Sequence, residues 1–155
     1  MIPEFGACGT HRHPCRGGVP ALNLLGSVVV PGRREEVAGV RGLVRELLGD
    51  EHPVLGDVEL LTSEAVTNAI VHTASGDEGG TVTVWILAGD RGVRVEVEDG
   101  GGAVPAPRPY GDPWVEHGRG LWLVAAIATR HGYRRDRDGG TYWFEVHSGD
   151  APATV

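Results

Sequence analysis

The chain has 155 residues, with 14 basic side chains against 21 acidic ones, and every basic residue is an arginine. The absence of lysine excludes the phosphate-binding lysine of a Walker A loop, the paired lysine of a eukaryotic-type protein kinase and any Schiff-base mechanism. The length fits one domain, and a formal net charge of −7 argues against a general binder of nucleic-acid backbones, which needs cations in excess on one face.

Residues 1–23 read as a disordered N-terminal extension. It contains Cys8, His11, His13 and Cys15, a set able in principle to hold tetrahedral zinc. The spacing matches none of the standard finger patterns, and nothing apolar docks the segment. The folded domain is expected over 24–147. It opens on Leu24 to Val30, a β-branched run suited to a strand, broken by Pro31-Gly32. Val37, Val40, Val44, Leu47 and Leu48 then recur at helical spacing up to Gly49, a C-cap. A second helix is expected over about 54–73 and a loop over Ser75 to Gly80. Thr81–Leu87 and Val93–Val97 alternate and form a hairpin across Ala88 to Gly92.

Gly100 to Pro113 is rich in glycine and then proline, and reads as a long loop of the kind that carries function. Leu121 to His131 is expected as a third helix closed by Gly132. Tyr133–Arg135 then pairs with Thr141–Val146, and 148–155 is a flexible tail. This order gives an α/β, or α+β, sandwich: a mixed, mostly antiparallel sheet covered on one face by three helices. Trp85, Trp122, Trp143 and Phe144 are expected in its core, and Arg41 on a solvated helix surface. No apolar run reaches the length of a spanning helix, and the first 25 residues lack the apolar core of a signal peptide. A soluble, cytoplasmic protein without membrane contact is expected.

Three segments carry chemistry. Glu64, Asn68 and His72 stand at i, i+4 and i+8 and span roughly 80° of a helix, in the sector of Leu61 and Ala65. Polar groups set into an apolar face are costly unless each finds a partner, which a ligand, a metal or a buried hydrogen-bond network can supply. Asp99 ends an alternating strand and runs into Gly100-Gly101-Gly102. A carboxylate there can accept a hydrogen bond from a ring amino group, while the glycines let a flat ligand approach the backbone. Gly118-Arg119-Gly120-Leu121 opens the third helix, leaving backbone N–H groups and the positive dipole end free for phosphate oxygens.

In this order the segments resemble the Bergerat-fold ATPases, the family shared by type II topoisomerase ATPase domains, a heat-shock chaperone, histidine kinases and mismatch-repair proteins. Glu59-Leu-Leu-Thr-Ser-Glu64-Ala-Val-Thr-Asn68-Ala-Ile-Val-His72 is similar to the N-box of the stand-alone anti-sigma-factor serine kinases and their actinobacterial relatives. Asp99-Gly100-Gly101 stands at the first glycine box, Gly118 to Leu121 at the second, and Gly140-Thr141 at the terminal threonine motif. The resemblance implies that Asn68 coordinates Mg²⁺, that Glu64 is the general base, and that Asp99 binds the adenine amino group with help from Thr141. It implies that Gly101 admits the base and that Gly118, Arg119, Gly120 and Leu121 border the phosphates beneath a lid over about 104–117. His72 at the end of the N-box and Val104 at the start of the lid join the nucleotide-binding set, and His117 lies beside the phosphate loop.

The resemblance further implies ATP and Mg²⁺ as cofactors and a serine or threonine kinase acting on an anti-anti-sigma partner, with a sigma factor as a second partner. A homodimer is expected by analogy. Topoisomerase, chaperone and repair ATPases carry a transducer domain, and histidine kinases a dimerisation helix pair, for which this chain has no room. Two departures stand out: Ala103 replaces the second glycine of the first box, and the lid contains Pro105, Pro107 and Pro109. They leave open an alternative, a catalytically weak, nucleotide-responsive module that sequesters a sigma factor or another regulator.

Overall fold

The computed structural model describes residues 21–100, 120–135, 137 and 139–149. In chain order these form β1 (Asn23–Pro31), α1 (Glu36–Leu48), α2 (Leu55–His72), a one-turn 3₁₀ segment (Ala74–Gly76), β2 (Thr81–Gly89), β3 (Gly92–Asp99), α3 (Gly120–Ile127), β4 (Arg130–Arg135) and β5 (Gly140–His147). The strands make one sheet in the order β1-β2-β3-β5-β4. Every pairing is antiparallel, so the expected mixed, mostly antiparallel sheet narrows to its antiparallel part.

Alternation along the strands decides which face is buried. Val82, Val84 and Ile86 of β2, Val93, Val95 and Val97 of β3, and Tyr142, Phe144 and Val146 of β5 all turn into one core. From the other side that core is filled by Val40 and Val44 of α1, by Val58, Leu61, Ala65, Val66 and Ala69 of α2, and by Val124 of α3. α2 crosses the middle of the sheet over β3, with α1 and α3 flanking it. Arg45 of α1 locks the two long helices together. Its Nε and Nη2 donate to Glu59 Oε1 and Oε2 at 2.9 and 2.8 Å, and its Nη1 to Asp50 at 3.1 Å. These bonds, Glu59 first, hold the guanidinium above its ordinary pKa.

The opposite face of the sheet holds a polar and aromatic ladder. Arg94 lies over the Trp143 ring at 4.1 Å and reaches Glu96 at 2.7 Å and Glu145 at 2.8 Å. Trp85 and Trp143 therefore stand half-buried on this face, and of the aromatic residues expected in the core Phe144 is the one found there. Trp122 is in α3, but its side chain lies outside what the structure describes.

The third helix is shorter than expected. Its last helical hydrogen bond runs from Ala128 N to Val124 O, and Arg130–Arg135 is strand, paired with Gly140–Glu145. Gly132 is consequently no helix cap. It lies beneath the Trp143 indole, which a Cβ there would approach to 2.9 Å.

Candidate functional site

β3 is the central strand of the sheet, and its last residue is Asp99. Alternation puts Asp99 on the face of Val93, Val95 and Val97, covered by the helices, and the residue is 6% exposed. A carboxylate buried to that degree needs donors. One is the Gly140 N–H, which donates to Asp99 Oδ1 at 3.1 Å from the start of β5. A Cβ on Gly140 would overlap the Tyr133 hydroxyl, so a side chain there requires the exposed tyrosine ring to move. Thr141, 3% exposed, pairs with Glu98, one step from the Asp99–Gly140 pair.

The next residue is fixed from a different direction. Gly100 N–H donates to Ser75 Oγ at 2.8 Å. Ser75 is itself held by a chain of bonds leaving α2: Thr73 Oγ1 donates to Ala69 O at 2.6 Å and accepts from Ser75 N at 3.1 Å. Three glycines tighten the same junction. A Cβ on Gly32 or Gly80 would overlap the Ser75 carbonyl oxygen, and one on Gly76 the Ile70 carbonyl oxygen. Gly32 N–H donates to Gly80 O at 2.9 Å. The exits of β1 and α2 and the entry to β2 thus converge, backbone on backbone, beside the end of β3.

On α2 the buried stripe is Leu55, Val58, Leu61, Thr62, Ala65, Val66, Ala69 and Ile70. Glu64, Asn68 and His72 are half-buried and border that stripe, so the expectation that they are set into the apolar face is corrected to its flank. A flank position lets a polar side chain reach a cleft without losing all its hydration. Among the described residues the side chains of Glu64 and Asn68 make no hydrogen bond or ion pair. Two oxygen-bearing groups one helical turn apart on the helix flank can serve a ligand together. α3 begins at Gly120 and packs beside α2.

Of the expected site residues, the structure joins Asp99 to the Gly140 N–H, places Thr141 one step along β5 opposite Glu98, with the alternate parity to Asp99, and sets Glu64, Asn68 and His72 along one ridge. Gly120 and Leu121 open α3, and the Leu121 side chain is not described. Gly101, Val104, Gly118, Arg119 and His117 lie outside the described residues, as do Cys8, His11, His13 and Cys15. The sequence reading overlooked Ser75 and Thr73. A Thr-x-Ser just after a helix is a local signal for side chains that take up backbone N–H groups.

A family model, the histidine kinase-like ATPase domain, matches residues 30–144, well over half of the chain. The chain belongs to the histidine kinase-like ATPase domain family. No curated protein shows a significant match to it. Membership makes this an ATP-binding domain, and its α+β architecture of an antiparallel sheet under helices is the one expected of the family. In this histidine kinase-like ATPase domain no helix among the described residues is long and apolar enough to cross a membrane. Nor, among those residues, do three or more His, Cys, Asp or Glu side chains cluster as a metal site.

The chemistry of the α2 ridge is nonetheless compatible with magnesium. Mg²⁺ takes hard oxygen donors and commonly keeps one or two protein ligands, with phosphates and water completing its shell. The Asn68 amide oxygen is such a donor, uncharged and without a hydrogen-bond partner among the described residues.

Proposed function

We propose that this histidine kinase-like ATPase domain is a regulatory serine/threonine kinase that transfers the γ-phosphoryl group of ATP to an anti-anti-sigma partner and sequesters a sigma factor in the alternate state. The observation that carries the reading is the combination of Asp99, buried and fixed by the Gly140 N–H, with Glu64 and Asn68, half-buried one turn apart on the α2 ridge and without a side-chain hydrogen bond among the described residues. The chain without lysine adds support: phosphate charge must be met by arginine, by backbone N–H groups at the start of α3 and by a cation held on Asn68.

In this reading Asp99 accepts the adenine amino group and Thr141 supports it from β5. The Asn68 amide oxygen would hold Mg²⁺, which when bound would neutralise charge on the phosphates. Gly118, Arg119, Gly120 and Leu121 border the phosphate oxygens. Glu64 takes the proton of the attacking serine or threonine hydroxyl. The hydroxyl oxygen forms a bond to the γ-phosphorus as the bond to the β,γ-bridging oxygen breaks, and ADP leaves.

The deciding experiment is calorimetric titration with ATP and Mg²⁺, followed by single-turnover transfer to anti-anti-sigma candidates recovered by pull-down in ATP against ADP. Glu64→Gln is expected to bind ATP normally and transfer nothing, and Asn68→Ala to lose magnesium-dependent binding. Equal transfer by the parent and the Glu64→Gln form overturns the assignment of the base. Tight, Asn68-dependent binding without transfer by the parent selects the second reading, a nucleotide-responsive module that sequesters its partner. Ala103 and the prolines at 105, 107 and 109 favour that alternative.

A further inference from the structure

β4 forms one edge of the sheet, and its sequence, Arg130-His131-Gly132-Tyr133-Arg134-Arg135, is followed by Arg137 in the turn to β5. Over 130–138 four arginines stand against Asp136 and Asp138, an excess of two positive charges on a chain of net charge −7, and within β4 itself Arg130, Arg134 and Arg135 face no acidic residue in sequence. Arg135 is engaged within the fold, and the charge of Arg130 and Arg134 is little spent. Arg130 approaches Glu145 only at 3.9 Å and is 63% exposed, while Glu145 is already engaged by Arg94 at 2.8 Å. The side chains of Arg134 and Arg137 are exposed and make no ion pair or hydrogen bond among the described residues.

The backbone offers a second complement. Among the described residues β4 pairs with β5 alone, so alternate N–H and C=O groups along it point away from the sheet. Open edges of this kind are templates for another strand, and cations on an edge are one device that prevents indiscriminate pairing. Arginine repels a second copy of the same edge, but it attracts a strand carrying carboxylates.

We propose that β4 is a docking edge for an extended acidic segment of a partner protein, which adds to the sheet as a sixth strand. Main-chain hydrogen bonds supply the register, and Arg130, Arg134 and Arg137 select for acidic side chains. The proposal is independent of phosphotransfer and is tested without nucleotide.

The test is fluorescence anisotropy of the full chain with a labelled peptide of about ten residues alternating glutamate and valine. Three further probes are compared: the same peptide N-methylated at alternate backbone nitrogens, a lysine–valine counterpart, and an oligothymidylate. The acidic peptide is expected to bind. N-methylation and the Arg130→Glu/Arg134→Glu double variant should each weaken it by about tenfold or more, and Arg130→Lys/Arg134→Lys should retain it. Equal binding of the N-methylated or lysine peptide, tighter binding of the oligothymidylate, or no loss in the charge-reversed variant overturns the proposal. Absence of binding also overturns it and leaves the arginines as edge protection alone. If the charge-reversed variant fails to fold by circular dichroism, the peptide comparisons on the parent chain still decide.

Discussion

Gly140 donates its backbone N–H to the Asp99 carboxylate at 3.1 Å, across 41 residues of sequence. The bond fixes the orientation of a buried carboxylate at the end of the central strand through backbone alone. A carboxylate offers only acceptors, so it selects a ligand that carries a donor. Asp99→Asn can keep the Gly140 bond through its amide oxygen, but it turns an N–H₂ donor toward whatever the second oxygen faces. Loss of one charge-assisted hydrogen bond is expected to weaken ATP and ADP alike by about ten- to a hundredfold, with an unchanged far-ultraviolet spectrum. Calorimetry with both nucleotides measures it. A variant that binds both as the parent does removes Asp99 from the adenine site.

Among the described residues the side chains of Glu64 and Asn68 hydrogen-bond to no other part of the fold. Alanine has the higher helix propensity, by roughly half a kcal/mol relative to asparagine. Asn68→Ala is accordingly expected to melt at or slightly above the parent temperature without nucleotide, and Glu64→Ala at about the same temperature. A marked drop in either would mean that these side chains stabilise the fold.

The glycine junction behaves in the opposite way. Gly32→Ala forces a methyl group into the Ser75 carbonyl and Gly76→Ala one into the Ile70 carbonyl. Backbone must shift in each case, at a cost of about 1–3 kcal/mol or more. Ser75→Ala, which deletes the acceptor for Gly100 N–H, is expected to cost about 1 kcal/mol. Urea unfolding of the three variants should rank them in that order, and a Gly32→Ala protein as stable as the parent contradicts the packing described for the junction.

Arg45 joins α1 to α2 through a two-point contact with Glu59. Arg45→Lys keeps the charge but cannot make both bonds in one plane. A small fall in urea midpoint is expected, larger in low salt than in high salt because the arginine is solvent-exposed. A salt-independent change would point to packing of the side-chain stem.

Much of this was legible in the sequence, for reasons that also mark where it stopped. The valines of β2 and β3 alternate strictly, and those of α1 recur at helical spacing, because one face of each element is buried. Asp99 stood out because a carboxylate closed an alternating strand. The start of β4 was hidden because an edge strand buries almost nothing on either face: Arg130 to Arg135 has no apolar alternation, and pairing with β5 alone defines it. Trp85, expected in the core, shares the parity of Thr83 and the opposite parity to Val84 and Ile86, which places it on the open face. The partners that Ser75 and Gly140 take were beyond local reading, since each acts on the Asp99-Gly100 end from a distant part of the chain.

The position of Asp99 on β3 has a further consequence for cooperativity. Amide hydrogens of β3 are flanked by strands on both sides, whereas β1 and β4 are edges. Edge amides exchange through small local openings, and central ones through global unfolding. A ligand that engages Asp99 is therefore coupled to the opening of the whole sheet. Its occupancy should slow exchange most along β2, β3 and β5, so that the binding site and the folding core of this domain register as one cooperative unit.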